Sequence, residues 1–396
     1  MKLLLIVDDY LPHSIKVAAK MMHELALEFR KNGHHVVVLS PKPLQKEKLL
    51  IKRIDGVEVL FFRSGEIKNT GKIKRAINET LLSFYAWKAA KRYFSENYFD
   101  GIVYYSPSIF WGSLVKKLTK HWNCKSYLIL RDIFPQWTID NGLMKKNSII
   151  HRYFRYFEKI SYNSAGKIGV MSPSNLKFFK DKRTDISKFE VLFNWAEIPS
   201  VPKQQNIIRK KLNLEEKIVL FYGGNIGHAQ NMIYLVNLAK QFKNNSNVHF
   251  LFVGKGDEVD LILNEKEKHN LTNITYLPSV DQKTYFEMLN EFDIGMFSLH
   301  PSHKTHNFPG KLLGYMGYSK PILGCVNTGN DLKDIVNNAN AGLIVDSDDE
   351  EGLYQSAKKL IDSEPLRKKM GANGKLLLSN QFSIKNTASQ IERSLN

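Results

Sequence analysis

Two stretches of the chain carry the clearest structural signal: FYGGNIG at residues 221–227 and HPSHKTHNFPGKLLGYMGYSKPILG at residues 300–324. Each is typical of a β-strand that ends in a turn of small residues, or of Pro and Gly, and then enters a helix. Such a turn directs backbone N–H groups and the positive end of a helix dipole at one point, where a diphosphate binds. Two of these turns in one half of the chain predict a pocket for a nucleoside diphosphate, and hence an activated sugar as the ligand.

The 396 residues are enough for two domains, each with its own core. Continuous apolar runs alternate with helical stretches, as in parallel sheets that are covered on both faces. A polar segment with two prolines interrupts the pattern at residues 196–212. We therefore expect an α/β protein of two doubly wound, Rossmann-like domains, residues 1–199 and 200–378, that face each other across a cleft. The predicted strands are 2–8, 35–40, 56–62, 99–105, 125–131, 167–171, 190–194, 217–223, 247–253, 273–277, 293–299, 320–326 and 341–345.

The net charge of +18 is concentrated in the first half of the chain. Residues 1–200 contain 34 Lys and Arg against 18 Asp and Glu, whereas residues 201–396 contain 23 against 21. This asymmetry predicts an anionic partner for the first half: nucleic acid, an anionic bilayer surface or a diphosphate-bearing substrate. The sequence has no helix-turn-helix, zinc-finger or RNA-binding signature, so we expect no nucleic acid. With no apolar run long enough to span a bilayer and only two distant cysteines, we expect a cytoplasmic location.

Residues 72–94, KIKRAINETLLSFYAWKAAKRYF, predict a basic amphipathic helix. A membrane-surface helix has this composition, and a helix that covers the sheet with a solvated basic face explains it equally well. The positive charge of the first half favours contact with anionic lipid. We therefore expect a peripheral protein at the inner face of the cytoplasmic membrane.

The order of elements and the local motifs resemble the retaining glycosyltransferases of the GT-B fold, glycosyltransferase family four, nearly from end to end. The motifs are NGHHVVVL at 32–39, RDIFP at 131–135, VMS at 170–172, LFN at 192–194, GGNIG at 223–227, LFVG at 251–254, PGKLL at 309–313 and KPIL at 320–323, together with Glu158. Within that family, RDIFP, GNIGHAQ and HKTHNFPGKLLGYM resemble the branch that transfers N-acetyl-L-fucosamine in bacterial O-antigen (lipopolysaccharide) assembly. The resemblance also implies a C-terminal helix at 379–396 that returns to the first domain.

The resemblance places the nucleotide-sugar donor on the second half. Many relatives have an Arg and a Lys in the first glycine loop, where this chain has Asn225 or His228, and Gln230. Neutral side chains donate hydrogen bonds without a full charge, so we expect Lys311 to carry more of the phosphate charge. The residues we assign to donor binding are Gly224, Asn225, Gly227, His228, Gln230, Gly254, Asn307, Pro309, Gly310, Lys311 and Leu312.

The wider family has a Glu-x7-Glu motif in this region, and this chain has His306 and Gly314 at the two positions. A glycine offers no group to the ribose hydroxyls, so that contact is lost or supplied from elsewhere. We expect His306 or Asn307 to bind the hydroxyls of the donor sugar instead, and we take His306 as a candidate catalytic residue.

Arg131 and Asp132 end a strand at the carboxyl edge of the first sheet, where α/β sheets bind ligands. Asp132 is our second candidate catalytic residue, for the acceptor hydroxyl or the developing charge; a loop or helix cap is the alternative. His13, Ser14 and Lys16 follow the first strand, and with Arg131 they form the predicted acceptor side. Relatives often have a glycine pair there, which this chain lacks. The resemblance implies same-face attack assisted by the leaving diphosphate, so catalysis rests on positioning and charge stabilisation.

We expect no metal cofactor. His300, His303 and His306 have a spacing that metal ligands can have, but no carboxylate or cysteine accompanies them and Pro301 breaks regular geometry. The acidic run DSDDEE at 346–351 is better explained as a cap for the helix that follows it. Helix ends and a lysine supply the positive field that a metal would otherwise provide.

Together these expectations describe a retaining glycosyltransferase that moves N-acetyl-L-fucosamine, or a related N-acetyl-amino-sugar, from a UDP-sugar to an undecaprenyl-diphosphate-linked sugar. Two alternatives stay open on the sequence. A GT-B sugar-nucleotide epimerase would use the same fold and donor without an acceptor. A non-catalytic protein would hold the nucleotide without turnover.

Overall fold

The computed structural model describes residues 1–14, 17–67, 70–140, 142–181, 185–202, 204–301 and 309–396, with the side chains of Lys72, Trp137 and Asp140 left aside. These residues form two compact units: Met1–Trp195 together with Ile384–Asn396, and Ala196–Ser383. The chain passes from the first unit to the second at Trp195 and Ala196, slightly before the predicted boundary of 199 and 200. The reason is that Pro199 already packs against Gly317 of the second unit, whose hypothetical Cβ would lie 2.8 Å from the Pro199 Cδ.

The first unit is built on one sheet of eight strands. Its strands are β1 (Lys2–Ile6), β2 (His35–Pro43), β3 (Leu49–Ile54), β4 (Val57–Ser64), β5 (Gly101–Ser106), β6 (Lys125–Leu130), β7 (Lys167–Val170) and β8 (Phe189–Val191). Their order is β3-β4-β2-β1-β5-β6-β7-β8, and every neighbouring pair is parallel except β3 with β4. Along β1, Leu3 and Leu5 pack in one core layer, whereas Leu4 and Ile6 pack in the layer on the opposite face. This two-sided burial explains why the strand is an uninterrupted apolar run.

The antiparallel edge strand β3 is absent from the strands that the sequence predicts. It forms a hairpin with β4 through Asp55 and Gly56, whose φ angles of 48° and 77° are both left-handed. Two-residue hairpin turns need this conformation, and Asp-Gly is a typical sequence for them. The Asp-Gly pair after the LLIKRI run was therefore the signal for this strand.

The helices of the first unit that lie before its boundary are α1 (Val17–Lys31), α2 (Lys72–Thr80), α3 (Leu82–Glu96), α4 (Gly112–Trp122), α5 (Gln136–Asp140), α6 (Ile149–Ser164) and α7 (Pro173–Asp181). The single helix predicted at 72–94 is thus two helices that meet at Leu81. Helix α3 buries Ala86, Ala90 and Phe94 against the sheet, at the spacing of one helix face. Helix α2 contributes no residue to the buried core.

The second unit is a six-stranded, fully parallel sheet. Its helices are α8 (Ile207–Lys211), α9 (Met232–Gln241), α10 (Val259–Lys268), α11 (Gln282–Glu291), α12 (Gly310–Gly317), α13 (Asp331–Asn338), α14 (Glu350–Asp362) and α15 (Glu364–Gln381). Its strands are β9 (Ile218–Asn225), β10 (Val248–Lys255), β11 (Ile274–Leu277), β12 (Ile294–Ser298), β13 (Ile322–Val326) and β14 (Gly342–Asp346). Their order, β11-β10-β9-β12-β13-β14, is that of a doubly wound Rossmann-like domain.

The last helix, α16 (Ile384–Leu395), belongs to the first unit. Ile384, Ala388, Ile391 and Leu395 repeat at helical spacing and lie in the core layer that also contains β1 residues. The Gln390 Nε2 atom donates to the Glu190 Oε1 and the Val191 carbonyl at 2.8 and 2.9 Å, which ties the helix to the end of the sheet. The returning segment begins at Ile384 rather than at 379, since α15 continues to Gln381.

None of the helices in the described part of the chain has both the length and the apolar character that are needed to span a bilayer.

Candidate functional site

The sheet of the second unit has a topological switch point between β9 and β12. The chain runs from β9 through α9 to β10 on one side, and later returns to place β12 on the other side. In open parallel sheets, a crevice forms at such a reversal outside the carboxyl ends of the strands, and ligands bind there. Residues 224–227 form the turn at the end of β9, and His300 lies directly after β12, so both sequence motifs have residues at this edge.

Glycines allow the backbone to fold closely at the ends of β9 and β10. Gly224 and Gly254 have φ angles of 129° and 157°, a region that side chains disfavour. A Cβ on Gly254 would lie 1.8 Å from the Gly224 carbonyl oxygen, and one on Gly256 would lie 1.9 Å from the Ile226 carbonyl oxygen. The two strand ends are therefore in direct backbone contact, and no larger residue fits at these positions.

The side chains predicted for the first glycine loop lie together after β9. Asn225 donates from its Nδ2 to the Gln230 Oε1 at 2.6 Å, so these two amides orient each other. His228 is exposed; its Nδ1 lies 3.5 Å from the Glu258 Oε1, and its ring centroid lies 4.7 Å from that of His300. Of the side chains predicted for this loop, Asn225 and Gln230 are thus uncharged amides, and His228 has the Glu258 carboxylate beside it.

Glu258 also lies at this edge, although no sequence motif points to it. Its Oε2 accepts a hydrogen bond of 2.9 Å from the Met232 N–H, at the first turn of α9. Asn231, which occupies the capping position of that helix, makes no side-chain capping bond there. The Glu258 contact joins residues that are far apart in the chain, so no local pattern could have revealed it.

Lys311 lies in the first turn of α12 and reaches across to β9. Its Nζ is 3.5 Å from the centroid of the Tyr222 ring, and a Cβ on Gly224 would lie 3.5 Å from the same atom. The side chain is half-buried and its Nζ is closed off from solvent, with no hydrogen-bond partner among the described residues. Burial lowers the pKa of Lys311 to about 7. Among the described residues, this Nζ therefore contacts an aromatic ring and has no hydrogen-bond acceptor, so an anion at that point would complete its contacts.

The start of α12 is held firmly in place. Tyr315 donates from its hydroxyl to the Met296 carbonyl at 3.0 Å, and its ring lies so close to Gly295 that a Cβ there would be 2.4 Å from the Tyr315 Cγ. Pro309 occupies the capping position without a side-chain capping bond. The Leu312 N–H donates to the Pro309 carbonyl at 3.0 Å, whereas the N–H groups of Gly310 and Lys311 have no partner among the described residues and are available to a ligand. The structure thus brings together, at one strand edge, the predicted residues Gly224, Asn225, Gly227, His228, Gln230, Gly254, Pro309, Gly310, Lys311 and Leu312.

Three other predicted site residues, Lys16, His306 and Asn307, lie outside the described residues, as does His303. Their roles therefore stay predictions. In the part of the chain that the structure describes, no group of three or more His, Cys, Asp and Glu side chains is placed to hold a metal ion.

The first unit has a pocket of about 340 Å³ at the carboxyl ends of β1, β5 and β6. Asp132 lines it at the open side, and although its side chain is exposed, partial desolvation raises the pKa of its carboxyl group. Asp8 accepts from the Trp111 Nε1 at 2.6 Å and from the Ser108 N–H at 3.1 Å. Further lining residues are Asp9, Arg75, Glu79, Tyr105, Phe110 and Phe134.

Two of the residues predicted for the acceptor side, Ser14 and His13, differ in their relation to this pocket. Ser14 donates to the Asp9 Oδ2 at 2.6 Å and so supports the pocket wall. His13 packs its ring against Phe61, and burial together with Lys42 and Lys52 lowers its pKa. It is not among the pocket-lining residues.

Arg131 is buried and its guanidinium is turned into the protein. It donates to the Phe193 carbonyl at 3.1 Å and to the Leu130 carbonyl at 3.4 Å, and it lies 5.5 Å from the centroid of the Trp195 ring. Burial lowers the pKa of Arg131 to about 10. These contacts give Arg131 the role of a support for the strand end, next to the pocket that Asp132 lines.

Comparison with known families locates a match in the second unit: residues 203–377 match the family model described as Glycosyl transferases group 1. Among curated proteins, the chain is 24% identical to the probable glycosyltransferase WbjE of Pseudomonas aeruginosa over 221 residues. The match covers 55% of this chain and 55% of WbjE, so the matched part spans little more than half of that relative.

Solved structures resemble the chain along its whole length. HepE of Anabaena, crystallised in complex with UDP, has a TM-score of 0.71 at 14% identity, with 100% of this chain and 99% of HepE covered. WaaG, a glycosyltransferase involved in lipopolysaccharide biosynthesis, has a TM-score of 0.65 at 13% identity, with coverage of 100% and 99%. At these identities the likeness shows the fold, which is the GT-B arrangement of two Rossmann-like units that the sequence predicts.

Proposed function

We propose that this chain, whose second unit carries the domain of the Glycosyl transferases group 1 family on a GT-B fold, is a glycosyltransferase that uses a nucleoside-diphosphate sugar. The observation that carries the proposal is the Nζ of Lys311, closed off from solvent above the Tyr222 ring and beside Gly224. It faces the backbone where two glycine-containing strand ends meet. A cation in this setting is suited to the phosphates of a nucleotide.

Three features of the site would act together on a diphosphate. The N–H groups of Gly310 and Lys311 donate hydrogen bonds, the helix dipole adds a partial positive charge, and the Lys311 side chain adds a full one when it is protonated. The same groups stabilise the diphosphate as it leaves with the bonding electrons, so they serve both binding and catalysis. The UDP in the HepE crystal structure supports a uridine nucleotide as the donor.

The pocket of the first unit would hold the acceptor. Its described lining contains four carboxylates and one guanidinium: Asp8, Asp9, Glu79, Asp132 and Arg75. Carboxylates repel a diphosphate but accept hydrogen bonds from sugar hydroxyls. We therefore place the acceptor sugar in the pocket, with its diphosphate outside.

In the proposed reaction the acceptor hydroxyl oxygen forms a bond to the anomeric carbon of the donor sugar, and the bond from that carbon to the diphosphate oxygen breaks. Asp132 accepts a hydrogen bond from a neighbouring hydroxyl of the acceptor sugar and so orients the attacking hydroxyl. The hydroxyl proton passes to the departing diphosphate. This course retains the anomeric configuration, which the family-four resemblance implies, and it requires no metal ion.

The finer substrate assignment rests on the motifs of the chain. RDIFP, GNIGHAQ and HKTHNFPGKLLGYM resemble the N-acetyl-L-fucosamine branch, so we propose a UDP-linked N-acetyl-amino-sugar as the donor. WaaG acts in lipopolysaccharide biosynthesis, which supports a surface-polysaccharide intermediate as the acceptor. We propose an undecaprenyl-diphosphate-linked sugar, reached from the cytoplasmic side of the membrane.

Isothermal titration of the full chain with UDP, GDP and ADP tests the donor site. We expect UDP to bind, and Lys311→Met to weaken its binding about 30-fold, the effect of losing a charge-assisted hydrogen bond worth about 2 kcal/mol. Lys283→Met is the matched control, because its side chain is 87% exposed in the same unit. Equal affinity for UDP in the Lys311→Met variant and the wild type would remove the basis of the proposal.

Turnover separates the proposed transferase from its two rivals. A transferase releases UDP from the UDP-sugar when the lipid-linked acceptor is present, and it does so in the presence of EDTA. An epimerase converts the UDP-sugar without acceptor, and a binding protein does neither. NMR of the product linkage reports whether the anomeric configuration is retained.

A further inference from the structure

Helix α2 and the start of α3 present apolar side chains to solvent. Ile73 is 80% exposed, Ile77 is 54% exposed and Phe84 is 56% exposed. The spacing from residue 73 to 77 and on to 84 keeps them along one side of two nearly continuous helices. Single exposed apolar side chains are common on proteins, whereas several of them along one side of a helix indicate a surface that has a partner.

Helix α6 presents a second apolar stripe, which the sequence did not predict. Ile149 is 87% exposed, and Tyr153 and Tyr156 follow on the same side of the helix. Glu158 and Ser161 lie on the opposite side and are buried. The helix therefore packs on the protein through one face and leaves isoleucine and tyrosine on the other.

The two stripes meet. The hydroxyl groups of Thr80, at the end of α2, and Tyr153, in α6, are hydrogen-bonded to each other. We call the combined surface the α2–α6 face; it consists of Ile73, Ile77, Thr80, Phe84, Ile149, Tyr153 and Tyr156.

The helices that form this face also carry exposed basic side chains. Exposed Lys and Arg flank both stripes, whereas the acidic side chains of the same two helices are half-buried or buried. On α2, Glu79 is paired with Arg75, and on α6, Glu158 is paired with Arg155. The exposed basic residues on α2, on α6 and just before α6 are Lys74, Arg75, Lys145, Lys146, Arg152, Arg155 and Lys159.

We propose that the α2–α6 face docks on an anionic lipid bilayer. Isoleucine side chains would enter the acyl boundary, tyrosine hydroxyls would stay at the headgroup level, and the lysines and arginines would contact anionic headgroups. A protein partner would need a matching apolar patch with acidic groups around it. An anionic bilayer has negatively charged headgroups and an apolar interior over its whole surface. Charge complementarity and the interfacial composition of the face thus favour lipid.

The α2–α6 face adjoins the pocket that we propose for the acceptor, and this part of the inference rests on the proposed function. Arg75 and Glu79 of α2 line that pocket, and so do Phe110 and Phe134. The Phe110 ring lies 5.0 Å from the Phe157 ring, and the Phe134 ring lies 4.8 Å from the Phe154 ring, both on α6. The helices that form the docking face therefore also form the pocket wall. A sugar in the pocket can stay linked to a lipid that remains in the membrane.

Flotation of the full chain with vesicles of phosphatidylglycerol and phosphatidylethanolamine tests the proposal, with pure phosphatidylcholine vesicles for comparison. We expect binding to the anionic vesicles only, and we expect 0.5 M salt to weaken it. Lys145→Gln with Lys146→Gln should reduce the partition coefficient about fivefold for each charge removed. Ile73→Ser with Ile149→Ser should reduce it about tenfold.

Leu376→Ser is the matched control, because Leu376 is 60% exposed in the second unit; its vesicle binding should equal that of the wild type. Each variant is also titrated with UDP, and an unchanged dissociation constant shows that the variant is folded and keeps its donor site. Undiminished vesicle binding in both double variants overturns the proposal. So does a wild-type dimer in sedimentation analysis that the isoleucine variant abolishes, since a second copy would then cover the face. Failure of vesicle binding with normal UDP binding refutes the docking surface and leaves the donor site intact.

Discussion

Binding of a nucleoside diphosphate should be coupled to protonation of Lys311, and replacement of this residue by Met should abolish the coupling. In the free protein the Nζ has no hydrogen-bond partner among the described residues, and burial lowers its pKa from 10.5 to about 7. A phosphate placed beside it favours the charged form and moves the pKa back towards 10.5. The protein must therefore take up a proton when it binds UDP above neutral pH.

The size of the uptake follows from the two pKa values. At pH 8 a lysine with a pKa of about 7 is charged in about one tenth of the molecules, whereas the lysine in the complex is almost fully charged. UDP binding at pH 8 should thus consume about 0.9 proton per site. For the same reason the dissociation constant should rise about tenfold for each pH unit above 7.

The assay is calorimetric titration with UDP at pH 8 in buffers of different ionisation enthalpy. The slope of the observed enthalpy against the buffer enthalpy gives the number of protons taken up. Wild type and Lys283→Met should give about 0.9, and Lys311→Met should give a value near zero with a pH-independent affinity. A proton uptake below about 0.2 in the wild type, or the same uptake in the wild type and Lys311→Met, refutes the reasoning.

The same pKa shift makes the stability of the unliganded second unit depend on pH. Between pH 7 and 10.5 the unfolded chain binds a proton at Lys311 that the folded chain does not, so stability rises with pH across this window. The difference of about 3.5 pKa units corresponds to an upper limit of ~5 kcal/mol for the cost of the buried charge. Lys311→Met should therefore raise the melting temperature at pH 6, and this gain should shrink as the pH approaches 10.

Three further predictions concern the two units separately. Gly254→Ala should disrupt the donor site and lower the melting temperature of the second unit, because its Cβ would lie 1.8 Å from the Gly224 carbonyl oxygen; thermal unfolding with and without UDP measures both effects. Asp132→Asn should lower kcat/KM for the acceptor about 100-fold with an unchanged dissociation constant for UDP. Because partial desolvation raises the pKa of Asp132, the wild-type rate should already fall at a pH above the ordinary aspartate range. The variant should lack this acid limb, and a matching limb in the variant would contradict the assignment. Arg131→Met should lower the free energy of unfolding in urea by about 3 kcal/mol, because the Phe193 carbonyl loses its buried hydrogen-bond donor. An unchanged unfolding midpoint would contradict this structural role and favour the predicted role of Arg131 in acceptor binding.

Continuous apolar runs predicted most of the strands, because a parallel strand that is covered on both faces has no polar side. Each of the thirteen predicted strand ranges overlaps an observed strand, and within the described residues only β3 was missed. Edge strand β3 carries exposed residues and lacks the continuous run, so its signal lay in the Asp55–Gly56 turn instead. The GT-B fold class that the sequence predicts is confirmed by the two Rossmann-like sheets and by the structural relatives.

For the donor edge, the sequence predicted which turns matter, since a glycine or a Pro-Gly pair at a strand end has a local backbone cause. It did not predict that Lys311 would lie above the Tyr222 ring, nor that Glu258 would bond the first turn of α9. Both contacts join side chains from elements that are distant in the chain. Their existence depends on how neighbouring helices and strands pack.

The sequence by itself determined the alternation of strands and helices, the positions of the tight turns and the excess of positive charge in the first half, because each of these depends on residues that are close in the chain. Only the tertiary structure decided where individual charged side chains lie and which groups they contact. It turned Arg131 inward to backbone carbonyls, left Asp132 at the mouth of a pocket, and joined α2 to α6 in one exposed face. The physical reason is that the burial and the partners of a side chain are set by the elements packed around it, and those elements come from distant parts of the sequence.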